Sequence, residues 1–549
     1  MIPATFVAPS RYCDSMVPLP DLLHARPHAS ADQHFLLELL EMAFLGSNES
    51  RGIDESFSRL PLPEETWNPE FFVKDLFVED FLRNLSKLVI DGKDYPMHTS
   101  FVLRVLSRPP LDVETIRFRQ QILREIEDDS QARERLLALY VELVKLLDQL
   151  KSTHTQTLLD KTSLRLDTLR QFHDVVDYMV SEFAEAESGL RRLHEVGLEI
   201  KASHEHETLR ALLDYEGNYT LLDLRIRVGA DGRIRNLEID EIDDNAGNRF
   251  YLSPLRRWSE MVRLRWRGAT FTQRELVNRV ILDVYRRIAP VFSTLVQVLG
   301  HIEVYLVARA FAARAESAGL RVCLADVRPG GSIVLRDLFN PLLLQTQGPP
   351  VPCSIEPTSG EAVTIVTGPN SGGKTRLLQA LGLVQLLGQS GLYVPAAEAR
   401  LPLAASMFAS LVHQDGADLT EGRLGTELVR IRTLFQGVMP TAVVLMDELC
   451  SGTNPSEAAE IISMVLRLLR KLSPQAFITT HFLDIAKDLS DAPPIDDLEF
   501  LQVEIDERQA STYQFVPGVA TTSLAVGTAQ RLGVDFERLA AAIDERSLS

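Results

Sequence analysis

A glycine-rich loop carries the clearest chemistry in this sequence. Residues 367–375 read TGPNSGGKT and fit the pattern G-x-x-x-x-G-K-[S/T], between an apolar run (362–366) and a helix-forming run (376–387). In that context, backbone N–H groups can surround phosphate oxygens, the lysine can reach β- and γ-phosphates, and the threonine can hold Mg²⁺. The full motif disfavours an ordinary turn. It predicts ATP binding by Gly368, Pro369, Asn370, Ser371, Gly372, Gly373, Lys374 and Thr375.

Two carboxylates follow a second apolar run. Residues 442–446 are apolar and end at Asp447 and Glu448. We expect Asp447 to hold Mg²⁺ together with Thr375, and Glu448 to orient or deprotonate the attacking water. Such a run alone also fits a helix N-cap, but its position downstream of the glycine loop favours catalysis. His481, after the run 477–480, is predicted to sense the γ-phosphate; a structural histidine is the alternative.

A second subunit is expected to complete this chemistry. No arginine is obviously placed to stabilise the transferred phosphate, and Ser451, Gly452 and Thr453 have no evident task within one subunit. The sequence therefore favours a homodimer in which these three residues approach the partner's nucleotide.

The elements that position these residues form an α/β pattern beyond residue 320. Short apolar runs alternate with helical stretches at 333–335, 362–366, 407–411, 442–446 and 476–479. This order predicts a sheet wound with helices, with the glycine loop after one strand.

The middle of the chain is predicted to be long helices. Two stripes recur at spacings of three and four, and they predict helix-packing faces; their residues are Leu136, Tyr140, Leu143, Leu147, Leu150, and Leu169, Phe172, Val176, Met179, Phe183. Strand-like runs at 219–227 and 233–239 flank a G-A-D-G turn, which indicates a hairpin inserted between helical segments. The fold class expected is multidomain α and α/β.

The amino-acid composition limits which partners and which cellular location we expect. The chain has 549 residues, 45% of them hydrophobic, and a net charge of −19, which argues against non-specific nucleic-acid binding by the whole surface. Four scattered cysteines suggest neither a disulfide framework nor a zinc site and favour a cytoplasmic location. The apolar stretch 288–313 contains charged residues, so we expect a buried helix and no membrane span.

These motifs resemble those of the MutS family of DNA mismatch-repair ATPases. The loop TGPNSGGKT is similar to the family's TGPNMGGKS, GLYVPA (391–396) to G-x-F-V-P-A, LMDELCSGT (445–453) to LMDEIGRGT, and TTHF (479–482) to ATHY. RPPLD (108–112) with IRFRQ (116–120) is similar to the entry to the family's helical core, and NRF (248–250) to the return from its clamp. The resemblance covers about 99–543. It implies an ABC-type P-loop ATPase that dimerises with two composite sites. It also implies three domains: an amino-terminal segment (1–90), a helical core and lever with a reduced clamp at 214–247 (91–320), and an ATPase domain with a carboxy-terminal helix-turn-helix (321–549).

The departures from the family pattern narrow the expected function. We expect this chain to lack the mismatch-reading domain and the nuclease-like module. The family's Ser-Thr-Phe in the loop that contacts the partner is replaced by RLGTE (423–427), which leaves Thr426 as the evident substitute. The reduced clamp carries an acidic run that would repel a phosphate backbone: Glu238, Asp240, Glu241, Asp243 and Asp244.

The segment 256–267 favours binding of nucleic acid. Arginines interleaved with tryptophans can grip phosphates and stack on bases; they are Arg256, Arg257, Trp258, Arg263, Arg265, Trp266 and Arg267. Pairing of these arginines with the acidic run is an equal alternative. The sequence thus predicts a MutS-like ATPase that clamps a branched or recombination DNA structure, with an ATP-driven clamp on a protein or RNA partner as the rival.

The segment His204-Glu205-His206-Glu207 offers metal-ligand residue types. Adjacent residues on a helix point apart, so we expect an exposed polar turn in preference to a metal site.

Overall fold

The structure is a computed structural model that describes most of the chain. The described residues are 20–27, 34–45, 57, 60, 62, 66–85, 87–152, 158–219, 222–228, 234–242, 273–346, 348–357, 359–411, 422–507, 509–521, 536 and 538–540.

Helices dominate the first 320 residues. The α-helices of the described residues are α1 (His34–Leu45), α2 (Val78–Arg83), α3 (Thr99–Leu106), α4 (Val113–Asp128), α5 (Ser130–Ser152), α6 (Leu158–Glu182), α7 (Arg191–Ala202), α8 (His204–Tyr219), α9 (Gln273–Ser317), α10 (Lys374–Gln389), α11 (Gly422–Gly437), α12 (Pro455–Leu469) and α13 (Leu483–Asp491).

Strands concentrate in the last 230 residues. They are β1 (Lys87–Ile90), β2 (Lys93–Pro96), β3 (Leu222–Val228), β4 (Ile234–Ile242), β5 (Cys323–Leu324), β6 (Asp326–Arg328), β7 (Val334–Leu338), β8 (Cys353–Ile355), β9 (Val363–Thr367), β10 (Tyr393–Val394), β11 (Glu398–Pro402), β12 (Met407–Ser410), β13 (Val443–Met446), β14 (Gln475–Thr479), β15 (Leu498–Ile505) and β16 (Ser511–Pro517).

The chain divides into two compact units. The helical unit comprises Met1–Pro61 and Glu125–Ile302, and the α/β unit comprises Leu62–Arg124 and Glu303–Ser549. The second and third of the three boundaries fall within α4 and α9. The ranges 1–90, 91–320 and 321–549 follow sequence motifs and stay a prediction, whereas the contacts place residues 62–124 and 303–320 with the α/β unit.

The predicted apolar stripes form the core of the helical unit. Every residue of the stripe on α5 and of the stripe on α6, whose last member Phe183 directly follows the helix, is at most 4% exposed. Burying one side chain of this size stabilises the fold by about 1.5–3 kcal/mol, so these faces are sufficient reason for the helices to pack. The prediction of helix-packing faces is confirmed.

A buried carboxylate stabilises the amino-terminal part of this unit. Asp21 is 6% exposed; one of its oxygens lies 2.8 Å from His24 Nδ1, and the other accepts from the Leu23 amide at 2.8 Å. Burial raises the pKa of Asp21, but the hydrogen bond with His24 and the charges of His301 and His24 outweigh it, so the net pKa is lowered below its ordinary value of 3.8.

The predicted hairpin is present, with one change at its start. β3 and β4 pair antiparallel from Leu222↔Ile242 to Val228↔Ile234. Tyr219 is the last residue of α8, so the predicted first strand began three residues too early. Glu238, Asp240 and Glu241 lie on β4.

The prediction of an exposed polar turn at residues 204–207 is wrong for His206, whereas His204 and Glu207 are exposed as expected. These residues form the first turn of α8, and the side chain of His206 is only 3% exposed. The helix turns this residue toward α6, where it meets His173. A helix that packs against a neighbouring helix buries about one residue in three or four, and a short run of polar residues does not show which residue that is.

The long apolar helix is a core helix in the described structure. Val280–Ser317 is long and apolar enough to cross a membrane, but 94% of its most apolar window is buried inside the protein. The expectation of a buried helix at 288–313 agrees with this finding.

The α/β unit contains a six-stranded sheet in the order β12-β13-β14-β9-β15-β16. The first five strands are parallel, and β16 pairs antiparallel with β15. Val444, Met446 and Ile478 face a core built with α11, α12 and α13. On the other face, α10 approaches so closely that a Cβ on Gly382 would lie 3.0 Å from Leu445. Helices on both faces explain why the predicted strands are continuous apolar runs.

The segment 62–124 packs against this sheet. Trp67 is 1% exposed and its Nε1 donates to the Ala404 carbonyl at 3.2 Å. Asp75, 3% exposed, accepts from the Leu411 amide at 2.7 Å and from Arg430 at 2.8 Å. Arg430 belongs to α11, so this carboxylate fixes that helix beside the end of β12.

Candidate nucleotide-binding site

Three neighbouring parallel strands deliver the predicted site residues to one edge of the sheet. β13 ends before Asp447, β14 ends at Thr479, and β9 ends before Gly368. The register pairs Met446 with Ile478, and Thr479 with Val366. Because carboxyl ends of parallel strands meet at the same edge, residues far apart in sequence become neighbours there.

The glycine loop curls tightly between β9 and α10. Gly368 has φ 137°, a conformation that glycine adopts readily, and a Cβ there would lie 2.7 Å from the Val503 side chain. Gly373 has φ 85° and directly precedes α10. The loop therefore presents its backbone at the start of a long helix, the arrangement that binds anions.

Lys374 is folded into this loop. Its side chain is buried, and its Nζ donates to the carbonyls of Gly368 at 2.9 Å and Pro369 at 3.1 Å. Burial lowers the pKa of the Lys374 amine, and the charges of Glu448 and Asp447 oppose that effect. The lysine thus lies within the electrostatic field of both predicted carboxylates.

Asp447 is held by two threonine hydroxyls. Thr375 Oγ1 donates to Asp447 Oδ2 at 2.5 Å, and Thr479 Oγ1 donates to Asp447 Oδ1 at 2.5 Å. Thr375 opens α10 and Thr479 ends β14, so the aspartate joins the loop to two strands. An aspartate and a hydroxyl beside a phosphate-binding loop are the oxygen ligands that Mg²⁺ prefers, and this donor set fits Mg²⁺ bound with ATP.

Thr479 also positions Glu448. The Glu448 amide donates to Thr479 Oγ1 at 2.8 Å, and Glu448 has φ 48°, in the left-handed region. A non-glycine residue in that region costs about 1–3 kcal/mol and persists when its surroundings hold it. The Leu449 amide adds a bond to the Thr479 carbonyl at 3.3 Å, so this threonine fixes the turn that carries Glu448.

The residues predicted to approach a partner have contacts within the chain. Ser451 Oγ donates to Glu427 of α11 at 3.1 Å, and Thr453 Oγ1 donates to Glu457. Ser451 and Thr453 thus connect the turn after β13 to α11 and α12 within one chain, and the approach of residues 451–453 to a partner's nucleotide stays a prediction. Thr426 is the fifth residue of α11 and is half-buried.

His481 follows the end of β14. Its ring lies 4.1 Å from the Phe482 ring, tilted by 37°, and the residue is half-buried. Its position in the chain puts it at the same sheet edge as Asp447. The γ-phosphate role remains a prediction. The nucleic-acid candidates, residues 256–267, lie outside the described residues.

Two residues near the loop had no assigned role in the sequence prediction. Thr479 was noted only as the first letter of TTHF, and its position before the histidine was the available signal. Tyr513 lies against the loop: a Cβ on Gly373 would be 3.3 Å from its ring, and it has φ 59°. Tyr513 lies on β16, which pairs antiparallel with β15 in the sheet, and no local sequence motif predicts this pairing.

Comparisons with known proteins identify the same part of the chain. The sequence family MutS domain V matches residues 364–546. Endonuclease MutS2 of Thermomicrobium roseum is 26% identical over 419 residues, which cover 70% of this chain and 50% of that protein. Endonuclease MutS2 of Thermus thermophilus is 29% identical over 327 residues, which cover 57% of this chain and 40% of that protein. The corresponding protein of Ligilactobacillus salivarius is 28% identical over 276 residues, 49% of this chain and 34% of that protein.

This chain matches half or less of the length of these curated relatives. The match to domain V contains the glycine loop, both carboxylates and Thr479, which are the residues that the sheet brings together. Residues 364–546 of this chain match domain V of the MutS family, and the chain is similar to MutS2 proteins.

Proposed function

We propose that this chain is a Mg²⁺-dependent ATPase that couples ATP binding to the clamping of a DNA structure. The observation that carries the proposal is the connected set Thr375–Asp447–Thr479–Glu448 beside the buried Lys374. Phosphoryl transfer to water requires mainly positioning and charge stabilisation, and these groups supply both. MutS domain V, the family matched here, supports this assignment.

Each residue has a distinct role in the proposal. Residues 368–375 hold the phosphates, Lys374 neutralises the β- and γ-phosphates, and Thr375 with Asp447 holds Mg²⁺. Glu448 orients or deprotonates the attacking water, and His481 contacts the γ-phosphate. When bound, Mg²⁺ would neutralise charge that develops on the phosphate oxygens.

Equilibrium binding of ATP tests the nucleotide site. Lys374→Ala should abolish binding, because it removes the cation inside the loop. Glu448→Gln should bind ATP within about threefold of the unchanged protein, because its carboxylate acts on water and not on the phosphates. Equal loss of binding in both variants would show that Glu448 maintains the structure of the loop and would contradict its catalytic role.

The proposed assembly is a homodimer in which each nucleotide site is completed by the partner. Thr426 and residues 451–453 would contact the partner's nucleotide. Phe536 is 87% exposed and Leu539 is 47% exposed in the carboxy-terminal segment, which supports docking of that segment on another chain. Sedimentation of Glu448→Gln with ATP should show a tightened dimer. A fully active monomer at micromolar concentration would contradict the proposed assembly.

The proposed ligand is branched or recombination DNA, bound through residues 256–267. The acidic residues on β4, Glu238, Asp240 and Glu241, favour the alternative of a protein or RNA partner, since they would repel DNA. Changing Arg263 and Arg265 to alanine should weaken binding to branched DNA and flatten the log–log salt dependence by about one unit for each lost phosphate contact. An unchanged salt slope would favour the alternative. Nuclease activity, which the relatives' names state, is not assigned to the residues described here.

A further inference from the structure

Two histidines and an aspartate meet between two helices of the helical unit, away in sequence from the nucleotide site. His173 and Asp177 lie one turn apart on α6, and His206 lies on the first turn of α8. His173 Nδ1 is 3.1 Å from His206 Nε2, and His173 Nε2 is 3.7 Å from Asp177 Oδ2. One ligand atom from each of the three residues lies within 4.8 Å of the other two.

His206 is the most buried of the three residues. Its side chain is 3% exposed, whereas the side chains of His173 and Asp177 are 22% and 46% exposed. A neutral imidazole carries the lone pair that a metal ion requires.

The spacing of the two imidazoles suits a shared cation. Zn²⁺ binds histidine nitrogens at about 2.0–2.1 Å, so two nitrogens at a tetrahedral angle are separated by roughly 3.3 Å. The observed 3.1 Å differs little from that value. Asp177 has to move closer, which its half-exposed side chain can do by rotation. Lys201 Nζ lies 2.9 Å from Asp177 Oδ1, so this ion pair has to open or Asp177 has to bind the ion through its other oxygen.

We propose that His173, Asp177 and His206 form a binding site for a divalent transition-metal cation, with Zn²⁺ as the best fit. Two imidazoles and one carboxylate leave one coordination position for water. Imidazole ligands suit Zn²⁺, Cu²⁺ and Ni²⁺ and do not suit Mg²⁺, so the Mg²⁺ that accompanies ATP would not compete. The ion would join α6 to α8, the helix that leads into the hairpin β3–β4.

The competing explanation is a hydrogen bond between the two imidazoles that serves helix packing alone. In that case one ring donates to the other, and added metal has no effect on this part of the protein. The two explanations differ in whether the protein gains stability from a metal ion, because an ion at free concentration c that binds only the folded state stabilises it by RT ln(1 + c/Kd) and so raises the melting temperature.

The experiment measures Zn²⁺ binding to the full chain in the presence of excess Mg²⁺, by competition with a chromogenic chelator. The variants are His206→Gln, His173→Gln and Asp177→Asn. The matched control is His204→Gln, on the same helical turn but with a side chain that is 55% exposed. Melting temperatures are recorded with and without Zn²⁺.

We expect the unchanged protein and His204→Gln to bind one more equivalent of Zn²⁺ than His206→Gln or His173→Gln, and Asp177→Asn to bind it at least tenfold more weakly. Zn²⁺ should raise the melting temperature of the first two proteins only. If His206→Gln fails to fold, His173→Gln decides, since its side chain is more exposed. Equal Zn²⁺ binding in the unchanged protein and in both histidine variants, or no Zn²⁺-dependent stabilisation, would overturn the proposal.

Discussion

Thr479→Val tests how Thr479 positions Asp447 and Glu448, the proposed Mg²⁺ ligand and the proposed catalytic carboxylate. Valine keeps the shape of the side chain but removes the hydroxyl that donates to Asp447 Oδ1 and accepts from the Glu448 amide. Thr479 is fully buried, so water cannot easily replace either bond.

The expected loss follows from these two bonds. A hydrogen bond to a charged group contributes about 1.5–3 kcal/mol, and the Glu448 amide loses its partner in a turn that already has a left-handed residue. If about 1.4–3 kcal/mol of this is lost from the transition state, kcat falls by roughly 10- to 150-fold. The affinity for ATP should change by less than about threefold, because Lys374 and the loop amides are untouched.

The assay is steady-state phosphate release together with equilibrium ATP binding. Thr480→Val is the matched control: Thr480 is also buried, but its hydroxyl accepts from the Phe482 amide at 3.1 Å. We expect the control to keep turnover within about threefold of the unchanged protein. Turnover that is unaffected by Thr479→Val, or reduced equally by Thr480→Val, would refute the positioning role.

Three further predictions concern stability. Asp75→Ala should lower the free energy of unfolding of the α/β unit by about 2–4 kcal/mol in denaturant titrations, because it leaves Arg430 without its buried partner. The control Asp80→Ala removes an exposed ion pair and should change this free energy by less than about 1 kcal/mol. Equal effects of the two substitutions would contradict the prediction. Gly368→Ala should cost at least about 1–3 kcal/mol and weaken ATP binding, because a Cβ would clash with β15 at a φ of 137°; a stable variant with normal affinity would contradict the tight loop. The folded-state pKa of Asp21 is lowered, so the contribution of its carboxylate to stability is present above pH 3.8 and is lost as the pH falls further. Asp21→Asn should therefore lower the stability at about pH 5 and flatten the pH dependence of unfolding below pH 3.8. An unchanged pH profile would contradict this prediction.

The sequence predicted those features that depend on local pattern. The strands β9, β13 and β14 are continuous apolar runs because both of their faces are buried, so their residue types alone predict these strands. The stripes on α5 and α6 repeat at helical spacing for the same reason. The loop 368–375 needs glycine, lysine and threonine at fixed spacing, and its motif was therefore visible.

Features that depend on long-range contacts were not predicted. Asp75 and Arg430 are 355 residues apart, and nothing in either local sequence indicates their pairing. His206 attracted attention because of its neighbours in the sequence, whereas its actual partner, His173, is on another helix. β15 and β16 mix polar with apolar residues at the edge of the sheet, so their pattern gives a weaker signal than that of the buried strands.

Turnover of ATP by Glu448→Gln tests the central claim most directly. Phosphate release is measured on the full chain with saturating ATP, with Mg²⁺ and with a chelator, beside the control Glu398→Gln, whose exposed carboxylate on β11 pairs with Arg336 on the adjacent strand β7. Our account predicts Mg²⁺-dependent release by the unchanged protein and the control, and a decrease of about 10²-fold or more in Glu448→Gln. Release that is independent of Mg²⁺, or that is the same in Glu448→Gln and in the control, would contradict it.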